Sequence, residues 1–174
     1  MKELKDYVYN IPDFPKEGII FRDVTGILEN PDGFSLAVDS LAEKLEGVDF
    51  DMLAGIEARG FLFASPLAYK LHKSVLLIRK KGKLPRETWQ KDYNLEYGTA
   101  TIEIHKDSVK PGQKVVLVDD LLATGGSLSA AASLVEKAGG EVVKIIALME
   151  LVDLKGREAL KKYDFDSVIT YEGE

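Results

Sequence analysis

The feature that most constrains this chain is the run of 13 residues from Val115 to Ser127. Its first four residues are apolar and predict a buried β-strand, and two carboxylates, Asp119 and Asp120, follow at once. The rest of the run is a short stretch rich in small side chains, after which a helix-like pattern begins. Ligands of open α/β sheets bind beyond the carboxyl ends of the strands, which is where we expect these residues to lie.

The end of this run has the features of a phosphate-binding loop. Gly125 and Gly126 permit positive φ angles and a close approach of backbone N–H groups to a ligand. The helix that begins near Ser127 adds the positive end of its dipole. The two acids before the loop would repel an anion, so ribose hydroxyls, which donate hydrogen bonds to carboxylates, are their natural partner.

An alternative interpretation is an ordinary strand–turn–helix joint with a capping Asp and turn glycines. Burying two adjacent acids for that purpose alone is unfavourable, which argues against it. Two commoner phosphate motifs are absent from the sequence, because it contains neither G-x-x-x-x-G-K-[ST] nor a G-x-G-x-x-G after a strand. The sequence therefore argues against a P-loop NTPase and a dinucleotide enzyme, and favours a site for a ribose 5′-phosphate.

Composition excludes further classes of protein. The 174 residues are 45% apolar and 30% charged, which suits one folded domain with a polar surface. The chain has no Cys and two His, so a thiolate site is impossible and a histidine zinc site is not expected. A net charge of −6 argues against nucleic acid as a partner.

No apolar run approaches the roughly 20 residues of a membrane span, and the N-terminus does not resemble a signal peptide, so we expect a cytoplasmic protein without a membrane partner.

Strand-like and helix-like segments alternate along the chain, which predicts an α/β fold with a mainly parallel central sheet flanked by helices. Asn30 and Pro31 predict a helix start, because Asn is a good N-cap and Pro suits the first turn. No repeat or linker divides the chain, so a single domain over residues 1–174 is expected. The predicted strands are residues 52–56, 74–78, 99–105, 114–118, 141–149 and 167–171, and the predicted helices are residues 2–9, 31–45, 60–71, 127–138 and 157–163.

A strongly basic segment interrupts this acidic chain. Residues 79–91 contain six basic residues and one acidic residue, Glu87. Such a segment is either a solvated surface loop or a trap for an anion, because Lys and Arg form charge-assisted hydrogen bonds with phosphate groups. The segment alone does not decide between the two.

The run 115–127 resembles the phosphoribosyl pyrophosphate (PRPP) motif of type I phosphoribosyltransferases, in which an apolar strand and two acids precede Thr-Gly-Gly-Ser/Thr. Further segments resemble the adenine phosphoribosyltransferases, a branch of that family, and they follow in order from about Tyr9 to the C-terminus. These segments are FPKEGIIFRD (14–23), ARGF (58–61), LIRKKGKLP (77–85), LEYG (95–98) and VDLKGR (152–157).

The resemblance implies that the chain joins adenine to PRPP, giving AMP and pyrophosphate, with Mg²⁺ carried on the PRPP. It also implies a type I phosphoribosyltransferase fold, with a small N-terminal hood over about residues 1–33 and a flexible lid loop over about residues 79–98. A homodimer is implied as well.

The resemblance further implies roles for individual residues. The ribose and 5′-phosphate of PRPP would be bound by Asp119, Asp120, Ala123, Thr124, Gly125, Gly126 and Ser127. Any direct contact with the Mg²⁺ would be made by Asp119 and Asp120. Pyrophosphate would be bound by Arg59, Arg79, Lys83 and Tyr97, near a cis peptide at Glu57–Ala58. Adenine would be bound by Ile20, Phe21, Arg22 and Leu151, and Glu96 would handle the proton of the base.

Two other functions share this fold and motif. A PRPP-sensing regulator would carry an added DNA-binding domain, and the residues before Asn10 are too few to form one. An enzyme acting on oxo-purines or orotate would need donors or a Lys aimed at an oxygen of the base, whereas the expected hood offers backbone groups suited to an exocyclic amine.

Phe21 fits equally well as an adenine wall or as a core residue.

Overall fold

The computed structural model describes residues 1–95 and 97–173, which contain both strands and helices. The strands are β1 (Tyr9–Pro12), β2 (Ile20–Asp23), β3 (Met52–Ile56), β4 (Ser74–Lys80), β5 (Thr88–Asn94), β6 (Thr99–His105), β7 (Lys114–Leu122), β8 (Glu141–Leu151) and β9 (Phe165–Tyr171). The α-helices are α1 (Thr25–Leu28), α2 (Pro31–Glu43), α3 (Arg59–Leu71), α4 (Gly126–Lys137) and α5 (Gly156–Ala159). Short 3₁₀ helices cover Leu4–Tyr7 and Val152–Leu154.

The central sheet has seven strands in the order β5-β6-β4-β3-β7-β8-β9. Five neighbouring strands, β4, β3, β7, β8 and β9, pair in parallel. Strand β6 pairs antiparallel with both β4 and β5. Strands β1 and β2 form a separate antiparallel hairpin near the N-terminus. The prediction of a mainly parallel central sheet flanked by helices is confirmed.

Both faces of the central strands are buried. Along β7, Val116 and Val118 pack in one core cluster with residues of α2 and α3, while Val115 and Leu117 pack in a second cluster with residues of α4. All five residues of β3 are buried as well. With both faces covered by helices, a ligand reaches the central strands at their ends.

The start of α2 follows the predicted capping chemistry. The side chain of Asn30 accepts hydrogen bonds from the backbone N–H groups of Asp32 at 2.9 Å and Gly33 at 3.2 Å. Pro31 occupies the first turn, where no backbone N–H is required.

Three predicted elements differ clearly from the structure, while other boundaries shift by a few residues. Strand β7 continues through the two acids to Leu122, because its backbone pairing with β8 extends beyond the apolar residues, with Asp119 opposite Ala147. The helix predicted over residues 157–163 is the single turn α5. The helix predicted over residues 2–9 is a 3₁₀ turn, after which the chain enters β1.

The lid segment, residues 79–98, contains a strand where a loop was predicted. Strand β5 pairs with β6 along its whole length, from Thr88 opposite His105 to Asn94 opposite Thr99. Trp89 and Tyr93 on β5 pack against the core cluster that includes α4. The polar composition of the segment concealed this strand, since only these two aromatic residues face the core.

Candidate active site

The acid pair lies at the carboxyl end of β7, in the middle of the sheet. Asp119 and Asp120 are 8% and 5% exposed. Helix α3 begins directly beside them, and a side chain at Gly60 would place its Cβ 3.1 Å from Oδ1 of Asp119 and from the carbonyl oxygen of Val118. Glycine therefore suits this close packing of α3 against the acids, because a Cβ there would make a tight contact with them.

The two carboxylates have different partners. Oδ1 of Asp119 accepts a hydrogen bond from the backbone N–H of Asp120 at 2.9 Å. Oδ2 of Asp120 accepts one from Nε of Arg59 at 2.6 Å. Burial and the neighbouring charge of Asp120 raise the pKa of Asp119 well above its usual value, while the charge of Asp120 raises the pKa of Arg59. Arg59 is thus the direct cationic partner of the acid pair, and the carboxyl of Asp119 ionises less readily than a free one.

A cavity of about 260 Å³, here called the loop cavity, opens where β7 leads into α4. Residues 121–128 line one side of it, and Tyr93, Asn94 and Leu95 line the other. Gly125 has a φ of +86°, and a Cβ at this position would lie 2.7 Å from the carbonyl oxygen of Gly156. The loop therefore depends on a glycine both for its conformation and for its packing against α5.

Two further cavities continue from the loop cavity. The acid-pair cavity, of about 400 Å³, contains Asp119 and Asp120 and shares Tyr93, Leu121 and Ser127 with the loop cavity. The aromatic cavity, of about 70 Å³, contains Phe21 and Met149. It shares Arg59, Asp120 and Leu121 with the acid-pair cavity. The three cavities thus form one continuous depression along the end of β7.

All seven residues expected to bind the ribose and the 5′-phosphate line this depression. Ala123, Thr124, Gly125, Gly126 and Ser127 line the loop cavity, and the acids and Ser127 line the next one. Helix α4 begins at Gly126, so its first backbone N–H groups border the loop cavity.

The residues expected to bind pyrophosphate are placed less uniformly. Arg59 lines the acid-pair cavity. Arg79 instead points its guanidinium at Glu57, with Nε 3.3 Å from Oε2, while Lys83 and Tyr97 are exposed and line none of the three cavities. The expected cis peptide at Glu57–Ala58 is present.

The residues expected to bind adenine are divided as well. Phe21 and Arg22 line the aromatic cavity, where Phe21 meets Phe14 edge to face at 5.2 Å between ring centroids. Ile20 is exposed on β2, and Leu151 packs against a core cluster; neither lines the aromatic cavity. Glu96 lies outside the described residues.

Among the residues of the acid-pair cavity that have polar side chains, sequence reasoning missed three: Glu57, Lys80 and Tyr93. Lys80 belongs to the basic segment and could have been chosen from it, but the sequence does not distinguish it from its neighbours. Glu57 follows β3 directly and Tyr93 lies on β5, so their proximity to the acids depends on the order of strands in the sheet.

Metal binding at this site depends on the acid pair. Within residues 1–95 and 97–173 there is no group of three or more His, Cys, Asp or Glu side chains placed to hold a metal ion. Two carboxylates fit Mg²⁺ that is bound mainly through phosphate oxygens and water, as is usual for this ion.

None of the helices in the described residues has the length and apolar character needed to cross a membrane.

The raised pKa of Asp119 predicts a specific pH dependence of stability. The unfolded chain loses the proton of Asp119 near the usual value of 3.8, whereas the folded protein holds it to higher pH. The free energy of unfolding therefore decreases as the pH rises above 3.8 and through the folded pKa. Asp119→Asn, which retains the oxygen acceptor, is expected to be more stable than the wild type at pH 7, with a smaller difference near pH 4.

Urea unfolding of the ligand-free protein at both pH values measures this effect. Glu46→Gln, which removes an exposed carboxylate, is the control and should change stability little at either pH. An Asp119→Asn variant that is less stable than the wild type at pH 7 would contradict the assignment of unfavourable burial to this carboxyl.

Comparison with known proteins agrees with the geometry. A family model described as the phosphoribosyl transferase domain matches residues 24–172. Adenine phosphoribosyltransferase from Agathobacter rectalis is 61% identical over 174 residues, covering 100% of both chains, and that from Lachnoclostridium phytofermentans is 59% identical with the same coverage.

Solved structures show the same similarity. The crystal structure of adenine phosphoribosyltransferase from Thermoanaerobacter pseudethanolicus has a TM-score of 0.93 and 52% identity, covering 97% of this chain and 98% of that one. The Saccharomyces cerevisiae enzyme, crystallised with adenine and an imino-altritol bisphosphate, has a TM-score of 0.89 and 39% identity, covering 95% and 96%. The fold is the type I phosphoribosyltransferase fold, and the chain belongs to the adenine phosphoribosyltransferase family.

Proposed function

We propose that this chain transfers the phosphoribosyl group of PRPP to adenine, giving AMP and pyrophosphate, a reaction of purine salvage. The observation that carries the proposal is the order of the three cavities along the end of β7: a glycine loop at a helix N-terminus, a buried acid pair, and an aromatic-walled cavity. The 5′-phosphate, the ribose and the purine follow one another in AMP in the same order. The shared name of the relatives supports the same reaction.

PRPP binding follows from the groups that line the first two cavities. The 5′-phosphate accepts hydrogen bonds from the backbone N–H groups of residues 124–127 and is stabilised by the dipole of α4. The ribose hydroxyls donate to Asp119 and Asp120. Pyrophosphate lies against Arg59 and Lys80, which line the acid-pair cavity. We also assign Arg79, Lys83 and Tyr97 to pyrophosphate, which requires the segment 79–98 to approach the cavity when substrate is bound.

In the reaction, the bond from C1 of the ribose to the pyrophosphate oxygen breaks, and N9 of adenine forms a bond to C1. The ribose gains positive charge in the transition state, which the nearby carboxylates of Asp119 and Asp120 stabilise. Arg59 and Lys80 stabilise the negative charge that collects on pyrophosphate. Mg²⁺, when bound with PRPP, adds charge neutralisation of the phosphates.

Adenine occupies the aromatic cavity. Phe21 supplies an apolar wall together with Leu121 and Met149, which line the same cavity. Backbone groups near Ile20 and Arg22 are assigned to the edge of the base, and Leu151 to its surroundings. Glu96 is assigned to accept the proton that N9 releases, a task for which a carboxylate is suited.

We further propose that the protein acts as a homodimer. Leu62 and Tyr69 lie seven residues apart on one face of α3, and they are 44% and 91% exposed. Exposed apolar side chains on one face of a helix are suited to a contact between subunits.

The base specificity is tested by incubating the purified protein with PRPP and Mg²⁺ and with adenine, hypoxanthine, guanine or xanthine in parallel. AMP formation from adenine, with no nucleotide from the other three bases, is the expected result. Chromatography of the nucleotides measures each product directly.

The other outcomes separate the alternatives. Nucleotide from an oxo-purine alone would leave the PRPP site in place and contradict the assignment of the aromatic cavity to adenine. PRPP binding without product from any base would identify a PRPP sensor.

Lys80 provides a test of the pyrophosphate site, because only the structure distinguishes it from the other lysines of the basic segment. Lys80→Ala is expected to raise the KM for PRPP about tenfold, the effect of losing one charge-assisted hydrogen bond, and to leave the KM for adenine unchanged. Lys161→Ala, which removes an exposed lysine remote from the cavities, is the matched control. Equal KM values for PRPP in the two variants would remove Lys80 from the site.

A further inference from the structure

The most deeply buried acid outside the candidate site is Glu103. It lies on β6, between β4 and β5, and is 2% exposed. Burying a carboxylate is unfavourable unless its oxygens are hydrogen-bonded, so the groups that surround this side chain indicate what it holds in place.

The carboxylate of Glu103 accepts four hydrogen bonds from one stretch of chain. Oε1 accepts from the backbone N–H groups of Gly82 and Leu84, each at 3.1 Å. Oε2 accepts from Oγ1 of Thr88 and from Nε2 of Gln90, each also at 3.1 Å. One oxygen therefore fixes the turn after β4, and the other fixes the beginning of β5.

The charge of Glu103 is retained despite its burial. Burial alone would raise its pKa, but the donors of Leu84, Thr88, Gln90 and Gly82 outweigh this effect and lower the pKa below its usual value. The side chain is therefore an anion at neutral pH, and its hydrogen bonds are charge-assisted.

The turn that Glu103 fixes carries basic residues of the lid segment. Gly82 and Leu84 flank Lys83, whose carbonyl oxygen accepts a hydrogen bond from Nη1 of Arg79 at 3.4 Å. The guanidinium of Arg79 also contacts Glu57, a residue of the acid-pair cavity. A continuous chain of hydrogen bonds thus runs from Glu103 through the turn to the wall of that cavity.

We propose that Glu103 is a positioning residue that fixes the Gly82–Leu84 turn, and so presents Lys83 and Arg79 for binding the pyrophosphate group of PRPP. This inference rests on the proposed function for its substrate. The placement of the turn itself does not depend on the substrate, so the two can be tested separately.

The proposal predicts an effect opposite to that of simple electrostatics. Removing a negative charge next to a segment that binds an anion should strengthen binding if only the net charge matters. A positioning role predicts weaker PRPP binding, because the basic side chains lose their fixed placement. The sign of the change in the KM for PRPP therefore separates the two explanations.

The first experiment measures hydrogen exchange of the ligand-free protein. In Glu103→Ala the amides of Gly82 and Leu84 lose their acceptor, so their exchange is expected to accelerate about tenfold or more, while amides of β3 and β7 stay protected. Glu87→Ala is the matched control, because it removes a carboxylate from the same segment whose side chain is 87% exposed. Unchanged exchange at Gly82 and Leu84 in Glu103→Ala would overturn the proposal.

The second experiment measures kinetics with adenine, PRPP and Mg²⁺. Glu103→Ala is expected to raise the KM for PRPP about tenfold, with the KM for adenine within about twofold of the wild type. Glu103→Gln is expected to restore most of the affinity, because its oxygen still accepts from the turn and its NH₂ group can donate to the Thr88 hydroxyl and to the Gln90 carbonyl. A lowered KM for PRPP in Glu103→Ala, or equal rises in both KM values, would contradict a positioning role.

A Lys83→Ala background makes the coupling explicit. If Glu103 acts through the turn, adding Glu103→Ala to Lys83→Ala should raise the KM for PRPP less than it does in the wild type.

If Glu103→Ala does not fold, Glu103→Asp replaces it in both experiments, because it keeps the charge and shortens the reach of the oxygens. A wild-type protein inactive with adenine and PRPP would refute the proposed function, while the exchange result would still decide whether Glu103 fixes the turn.

Discussion

The rest of the structure depends on the burial of two adjacent carboxylates at the end of the central strand β7. Water is largely excluded from Asp119 and Asp120, and the direct cationic partner that the structure gives them is Arg59 at the start of α3. Gly60 on the neighbouring helix suits this arrangement, because a Cβ there would lie only 3.1 Å from Oδ1 of Asp119. A ligand that offers hydroxyl groups and a cation relieves the unfavourable burial, so substrate binding and the stability of this strand end are linked.

Other buried carboxylates hold the segments around this site. Glu150 on β8 accepts hydrogen bonds from Nε of Arg157 at 2.7 Å and from Oγ of Ser167 at 2.6 Å. Arg157 belongs to α5, whose Gly156 packs against Gly125 of the loop. Glu103 has the corresponding place on the opposite side of the sheet, where it fixes the turn after β4. The loop and the basic segment are thus each supported by an acid that does not line the cavities.

Much of the fold and the centre of the site could be predicted from the sequence, because their signals are local. The apolar run, the two acids and the glycines of residues 115–127 are contiguous, so the glycine loop and the acid pair at the end of a central strand could be predicted directly. Strand β5 was missed because its polar residues conceal an edge strand that only Trp89 and Tyr93 join to the core. Lys80 and Glu57 were missed because their place beside the acids arises from pairing between distant strands, and the assignment of Leu151 to the base stays a prediction.

The most direct test of the central claim is a crystal structure of the protein with ribose 5-phosphate and Mg²⁺. We predict phosphate oxygens about 3 Å from the backbone nitrogens of residues 124–127, and ribose hydroxyls at hydrogen-bonding distance from the carboxylates of Asp119 and Asp120. A phosphate bound elsewhere, or a ribose directed away from the acid pair, would contradict the claim that the end of β7 is the phosphoribosyl site.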